Sequence, residues 1–529
     1  MPRMLSLRRP ALLAAFAVLL PALGAAAQTM QDPLRIAFAD PVSSLDPQLN
    51  NNAGDRSVDL FFFDPLINNN DNALQPSLAE TWRSINPLVW EFQLRRGVKW
   101  HDGQDFTADD IVYSYQRARQ VPGSVASFAS FLRTVAKVEA VDPHLVRITT
   151  REPNPNLPLN LTSINIVSRH GTEHAASEDF NTGRALIGTG PFRFVSYTPG
   201  ARVAMRRNDE HWGDKSIWRT VDYRYVSNPA ARTAALLAND VDVIDKVSVA
   251  DVAKLRDSPE VRVYAYPGLR AMILQPSFTP GPNRFVTGAD GKPLDRNPIG
   301  DVRVRRALNL AINRPALADR LMQGAANAAS QLMPAGTFGY DPAVPLPAFD
   351  PDAARRLLAE AGYPQGFNLV MHIPVDRYVA GSETAQAVAQ MWSRIGVRTT
   401  IETLTWTIYS SRVNKAEFAM TMIAWGNGTG ESSYGILSIL ATQDAAKGQG
   451  AGNWGHYSSR AVDDALERAT STFDPVEREA ILRRAAKQVD EDVAILPLYH
   501  YQNIWAARKG LVVKPQNSDR TLASMVTLE

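Results

Sequence analysis

The chain has 529 residues, 45% of them hydrophobic and 21% charged, with no cysteine and a formal charge of +2. Setting aside Arg3, Arg8 and Arg9 of the opening segment brings that charge to −1, so there is no electrostatic case for nucleic acid or an anionic membrane as partner. Without cysteine there are no disulfides and no thiolate metal sites, so stability must come from packing, and the length suits about two to four domains.

The first three arginines precede an apolar run at residues 11–23, broken by Pro21, and Ala25, Ala26 and Ala27 form a small-residue cleavage site. The run falls short of the ~20 residues that cross a bilayer. Residues 1–27 therefore read as a signal peptide, with the mature chain beginning near Gln28. No cysteine follows to carry a lipid, so the expectation is a soluble periplasmic protein that is not a lipoprotein.

Residues 34–39 read as a strand that enters a turn at Ser43 to Pro47 and then a polar loop, 48–55, crowded with Asn50, Asn51 and Asn52. Trp90, Phe92 and Leu94 alternate with polar neighbours, the period of a half-buried strand, which runs into a turn at His101-Asp102-Gly103. Thr107 then has the position of an N-cap, with Asp109 and Asp110 in the first turn behind it. His170 and His174 stand four apart, yet no HExxH and no third ligand accompany them, so they read as a surface pair and no metal or cofactor is expected.

Farther on, Asp301 predicts a helix to Ile312, and Asp350-Pro351 another that stops at Gly362. Ser382 has the character of a cap for a helix ending at Gly396, directly followed by an alternating strand from Val397. Asp474, Pro475 and Glu477 open a helix that reaches about Val489, and residues 494–498 extend beyond it. Mixed signals of this kind predict an α/β architecture in several lobes, with surface loops or linkers at the Pro- and Gly-rich stretches 279–298 and 334–351. The Gly-rich residues 448–452 are no phosphate loop, since no Lys-Ser/Thr follows, and there is no GxSxG elbow.

Several motifs recur in register: LAETW at 78–82, LRRGVKWHDG at 94–103, TADD at 107–110, GTGPF at 188–192, VRVRRALNLAINR at 302–314 and FDPDAARRLLAEAGY at 349–363. With residues 458–478 and PLYH at 497–500, this set resembles the family 5 extracellular solute-binding proteins, the peptide- and nickel-binding receptors of ABC importers. The resemblance implies a two-lobed clamp with a hinge and an extra inserted subdomain. It divides the chain into lobe I at 28–72, 186–275 and 503–529, the inserted subdomain at 73–185, and lobe II at 276–502.

It further implies a monomeric receptor, not an enzyme, that holds a short peptide or peptide-like solute between lobes and delivers it to an inner-membrane permease. A non-peptide solute (an opine, a sugar-like compound or a nickel complex) is the alternative, and a secreted hydrolase is the rival of another class. By this resemblance Arg377, next to Tyr378 in a strand-to-helix segment, is placed to pair with a ligand carboxylate through its planar fork. Trp425 is placed to wall the site. Where related receptors carry an acid for the ligand's α-amino group this chain has Gly428, so Glu431 becomes the candidate, with Asn427 and Thr429 as neutral hydrogen-bonding groups. Asn51 and Asn52 approach the cleft from the first lobe, and Asn453 does so from the Gly-rich loop of the second. The HDG turn and Gly188 to Phe192 are read as structural.

Overall fold

The computed structural model describes residues 32–375 and 377–529. The expected signal peptide and its cleavage site before Gln28 lie outside the described residues, as does Asp376. A twelve-stranded sheet forms the frame among these residues. Its centre is a pair of long antiparallel strands, Val261–Pro276 and Leu496–Arg508, whose register slips between Pro267 and Ala271. On one side of that slip the sheet continues through Val243–Ile244, Leu34–Phe38, Thr220–Tyr225, Arg202–Arg207 and Phe192–Thr198. On the other it continues through Met420–Gly426, Phe367–Pro374 and Val286–Gly288.

Each half packs its own core. Ile36, Phe61, Phe62, Trp218, Tyr223 and Trp505 fill the first lobe, and Met272, Leu308, Ile373, Val388 and Trp392 fill the second. A separate four-stranded antiparallel sheet, Ala79–Asn86, Val89–Leu94, Leu145–Thr150 and Val135–Asp142, buries Phe92, Leu94 and Ile148 with Trp100, Ile111 and Tyr115 in a third core, the insertion. The alternation at Trp90, Phe92 and Leu94 is the burial pattern of that strand, because successive side chains of a strand face opposite ways.

The capping chemistry follows the acids. Asp110 accepts from the Thr107 N–H at 3.0 Å to start Ala108–Arg117. Asp350 accepts from Ala353 N at 2.8 Å and Asp474 from Glu477 N at 2.8 Å, which starts Pro351–Glu360 and Pro475–Glu491. Asp301 caps Val302–Leu310, which stops short of Ile312. Other sequence-based expectations shift as well. The helix Ala53–Phe62 begins inside the polar loop assigned to 48–55. Ser382 lies within the helix Gly381–Ser393, whose cap is Ala380 at a φ of 52°, so the chain enters through a left-handed residue and no side-chain cap is used. The helix Arg169–Thr172 ends before His174, and His170 Nε2 meets Asp102 Oδ2 at 2.7 Å.

The motif residues are spent on the fold. His101 lies against the GTGPF turn: its Nδ1 accepts from Gly188 N at 3.3 Å and its Nε2–H donates to Gly190 O at 3.0 Å. A β-carbon at Gly188 would stand 1.7 Å from the Phe62 carbonyl oxygen, so only glycine lets this turn sit against the end of Ala53–Phe62. Arg305 donates to the carbonyls of Ile299, Gly300, Asp492 and Val493, and Arg314 to those of Pro497 and Asn309.

Candidate functional site

A cavity of about 510 Å³ opens between the first lobe and the tip of the second. Arg56 on the helix Ala53–Phe62, the asparagines of a short hairpin (Ile67–Asn70 paired with Ala73–Pro76), His211 to Ser216 and the C-terminal residues 516–524 form its first-lobe walls. Gly428 and Thr429 face it from the second lobe.

The loop after strand Met420–Gly426 is organised by Asn427. Its carboxamide oxygen accepts from Thr429 N and Thr429 Oγ1, both at 2.9 Å, and from Gly430 N at 3.1 Å, while its Nδ2 donates to Glu431 O at 2.7 Å. Asn427 is buried and saturated, so it shapes the loop and presents its neighbours. Thr429 lines the cavity, and its carbonyl accepts from Asn69 Nδ2 across the lobes at 3.2 Å. Trp425 is half-buried at the strand end, its ring 5.5 Å from that of Tyr434. A β-carbon at Gly428 meets nothing within 4 Å, so an acid there is missing for reasons other than space.

Glu431 does not line that cavity. Its carboxylate is paired with Arg478 and bonded to Ser433 Oγ, and it accepts from Asn156 Nδ2 at 3.2 Å. Arg478 also donates to Asn156 Oδ1 at 2.5 Å. Both charges are more than nine-tenths buried, at 5% and 7% exposure, and Asn156 belongs to the insertion, so this cluster ties insertion to second lobe. Ring contact between Trp90 and Phe473, with centroids 5.9 Å apart, makes a second tie between the same parts.

Arg377 stands exposed with its guanidinium 3.6 Å from the centre of the Trp406 ring, a cation–π contact, and it does not line the cavity. Tyr378 beside it is half-buried against both cores of the second lobe; burial pushes its hydroxyl up, and Arg377 pulls partly the other way. Asn51 and Asn52 lie at the entry to Ala53–Phe62, outside the cavity wall: Asn51 N donates to Ala126 O at 2.8 Å, and Asn52 bonds Asp55. Asn453 is buried, donating to Ala441 O at 2.9 Å and Tyr457 O at 2.7 Å, and holds its own loop together.

The structure brings other residues to the wall. Asn68, Asn69 and Asn72 form the hairpin that meets the second lobe, and the run of three asparagines before Asp71 was the available signal for that turn. Arg56 and Arg520 also line the cavity although they lie far apart in sequence, a juxtaposition no spacing rule reveals. Burial and the neighbouring Arg520 lower Arg56 to about 9, and burial lowers Arg520 as well. Lys246 holds Asp40 at 2.5 Å and Asp519 at 3.5 Å; burial pushes Asp519 up, but Lys246, Arg270 and Arg520 outweigh it and hold that carboxyl low.

Comparison with known proteins places this geometry in a family context. Residues 73–447 match the model of the bacterial extracellular solute-binding proteins, family 5. The dipeptide-binding protein of Escherichia coli K12 is 27% identical over 470 residues, covering 83% of this chain and 84% of that protein. Heme-binding protein A of Haemophilus influenzae is 27% identical over 476 residues, covering 84% and 83%. The solved structure of HbpA2 from Haemophilus parasuis superposes with a TM-score of 0.80 at 24% identity, over 94% of this chain and 99% of that one, which is a likeness of fold.

Proposed function

The chain belongs to the bacterial extracellular solute-binding proteins of family 5, binding receptors rather than enzymes, and on that premise we propose that it captures a short peptide or peptide-like solute between its lobes and hands it to an inner-membrane ABC permease. The observation that carries this reading is the cavity of about 510 Å³ bounded by both lobes. Its size suits a small solute, and clefts between lobes are the usual place for such sites. The dipeptide-binding relative supports a peptide as ligand class. Thr429 is the second-lobe wall residue proposed to meet it, while Trp425, Tyr378 and Arg377, which stand outside that wall, meet it only where the solute extends beyond the cavity. Ligand contact with both lobes favours the closed arrangement by its differential affinity for that state. No helix among the described residues is long and apolar enough to cross a membrane, in keeping with a receptor exported to the periplasm.

One observation favours a second reading. Gly428 offers no acid and Glu431 is neutralised by Arg478, so this loop has no free carboxylate for an α-amino group. A solute without a free amine, opine-like or sugar-like, fits that loop better than an unmodified peptide.

Mass spectrometry of the exported protein, released from cells and denatured, identifies the solute that travels with it. A single small solute bound one to one, rebinding by calorimetry and compacting the protein in solution scattering, is the expected result. Turnover of peptide esters, or no compaction with any solute that binds, rejects the receptor reading.

A further inference from the structure

We propose that the solute carries a carboxylate or comparably compact anionic group, and that Arg56 and Arg520 on the first-lobe wall of the cavity hold it. The inference rests on the receptor reading and specifies its ligand. Both arginines line the cavity, and neither has a carboxylate within ion-pair distance among the described residues. Arg56 makes one long hydrogen bond, Nη2 to Ser163 Oγ at 3.4 Å, and Arg520 makes none among the described residues. Arginines that serve the fold here behave differently. Arg232 donates to four backbone carbonyls, those of Asp245, Val226, Ser227 and Lys246, and Arg305 likewise to four.

Asp214 lines the same cavity without an ion-pair partner among the described residues, and the other acids near the two arginines are engaged elsewhere. Asp519 and Asp40 share Lys246, and Asp46 pairs with Arg117 at 2.6 Å. Asp55 accepts from Ser43 N at 2.6 Å and from its hydroxyl at 2.5 Å. Asp64 on the cavity wall accepts from Thr189 Oγ1 at 2.8 Å and Trp212 Nε1 at 3.0 Å. Asp59, one turn after Arg56, is 1% exposed with neither carboxyl oxygen bonded; burial, with Asp55 and Asp46 beside it, pushes it up, against the pull of Arg56 and Arg520, and it makes no ion pair with either arginine. Two neighbouring guanidiniums thus line the cavity with no carboxylate in ion-pair contact among the described residues; Asp519 acts on them only from a distance, and an anion that pairs with both directly stabilises the arrangement where a neutral ligand does not. Their planar forks accept a carboxylate bidentately, and Asn69, Gln516 and Ser518 beside them supply neutral donors. The anion has two possible sources, the C-terminal carboxylate of a peptide or the acid of a non-peptide solute.

Calorimetry on the mature chain with trialanine, trialanine amide, succinate and sulfate, at ionic strength matched with chloride, separates these. The expected result is acid-selective binding that Arg56→Gln and Arg520→Gln each weaken by about thirtyfold or more, the lower end for truncating one partner of a buried charge pair, with partial recovery in Arg56→Lys. Both glutamine variants should melt no lower than wild type without ligand, since each relieves repulsion; melting far below wild type assigns these arginines to the fold and overturns the proposal. Equal binding of trialanine and its amide, a preference for acid that survives both variants, or one lost only in Arg377→Gln also overturns it while leaving the peptide receptor standing. Arginine-dependent binding of succinate or sulfate with no binding of either trialanine form keeps the anion anchor and rejects the peptide. If no anion binds in a way that depends on Arg56 or Arg520, the anchor is rejected outright.

Discussion

His101, half-buried, and His500, buried, are rings whose protons are fixed by their neighbours. His101 receives a hydrogen bond from Gly188 N and gives one to Gly190 O, and His500 Nε2 meets Leu332 O at 3.1 Å. Burial lowers each to about 4, against an ordinary value of 6.5. Because the folded value lies below the unfolded one, the unfolded chain takes up a proton first as pH falls. Stability is therefore lost from about pH 6.5 down to about 4, by up to roughly 3 kcal/mol for each ring. Buried acids such as Asp59 and Asp245, held up by burial, work in the opposite sense, so the comparison must be between variant and parent. Urea unfolding of His500→Gln should show a shallower loss between pH 6.5 and 4.5 than the parent. An identical slope in both would sink the assignment.

At the scale of elements, the turn from Gly188 to Phe192 and the helix Ala53–Phe62 meet backbone to backbone. Gly188→Ala should lower stability by about 3 kcal/mol or more, since the clash falls on the Phe62 carbonyl and no side chain can yield. Gly300→Ala, where a β-carbon meets nothing within 4 Å, is the matched control and should leave the melting temperature nearly unchanged. Equal effects of the two substitutions would remove the packing explanation. Elements of this kind were legible where the signal is local: the alternation of Trp90, Phe92 and Leu94, and the acid caps at Asp350 and Asp474, carry their own geometry. The cap at Ser382 misled because a preferred residue type says nothing of φ, and Ala380 in the left-handed region already turns the chain. The site was less legible, because it is assembled by long-range packing. Nothing near Glu431 in sequence announces Arg478 or Asn156, and nothing near Asn51 says that the asparagines from Asn68 onward form the wall.

Besides the two long strands they share, the lobes and the insertion meet among the described residues through Asn69 to Thr429, Asn156 to Glu431 and Arg478, and Trp90 against Phe473. Asn156→Ala removes the cross-lobe arm of the buried cluster while leaving Glu431 paired with Arg478 inside the second lobe. Hydrogen bonds to charged groups contribute about 1.5–3 kcal/mol, so the closed population relative to the open one should fall by about tenfold or more. Solution scattering should then show a larger radius of gyration, with weaker solute binding and nearly unchanged resistance to urea. A profile indistinguishable from the parent's would show that this cluster does not hold the lobes together. Arg478→Ala is a different experiment: it strands a buried carboxylate and should cost about 3–5 kcal/mol of stability.

The two long strands Val261–Pro276 and Leu496–Arg508 have a mechanical consequence. Paired antiparallel on both sides of the slip at Pro267 to Ala271, they form a ribbon that resists sliding along its length and yields most easily to torsion at that step, where a bulge has already increased the twist. Any swing of the lobes is then a rotation about an axis near Gly268. Displacement grows with distance from that axis, so Leu269 and the Asn427 N–H it holds at 3.0 Å scarcely move, and fluorescent pairs report the motion only when mounted at the rim.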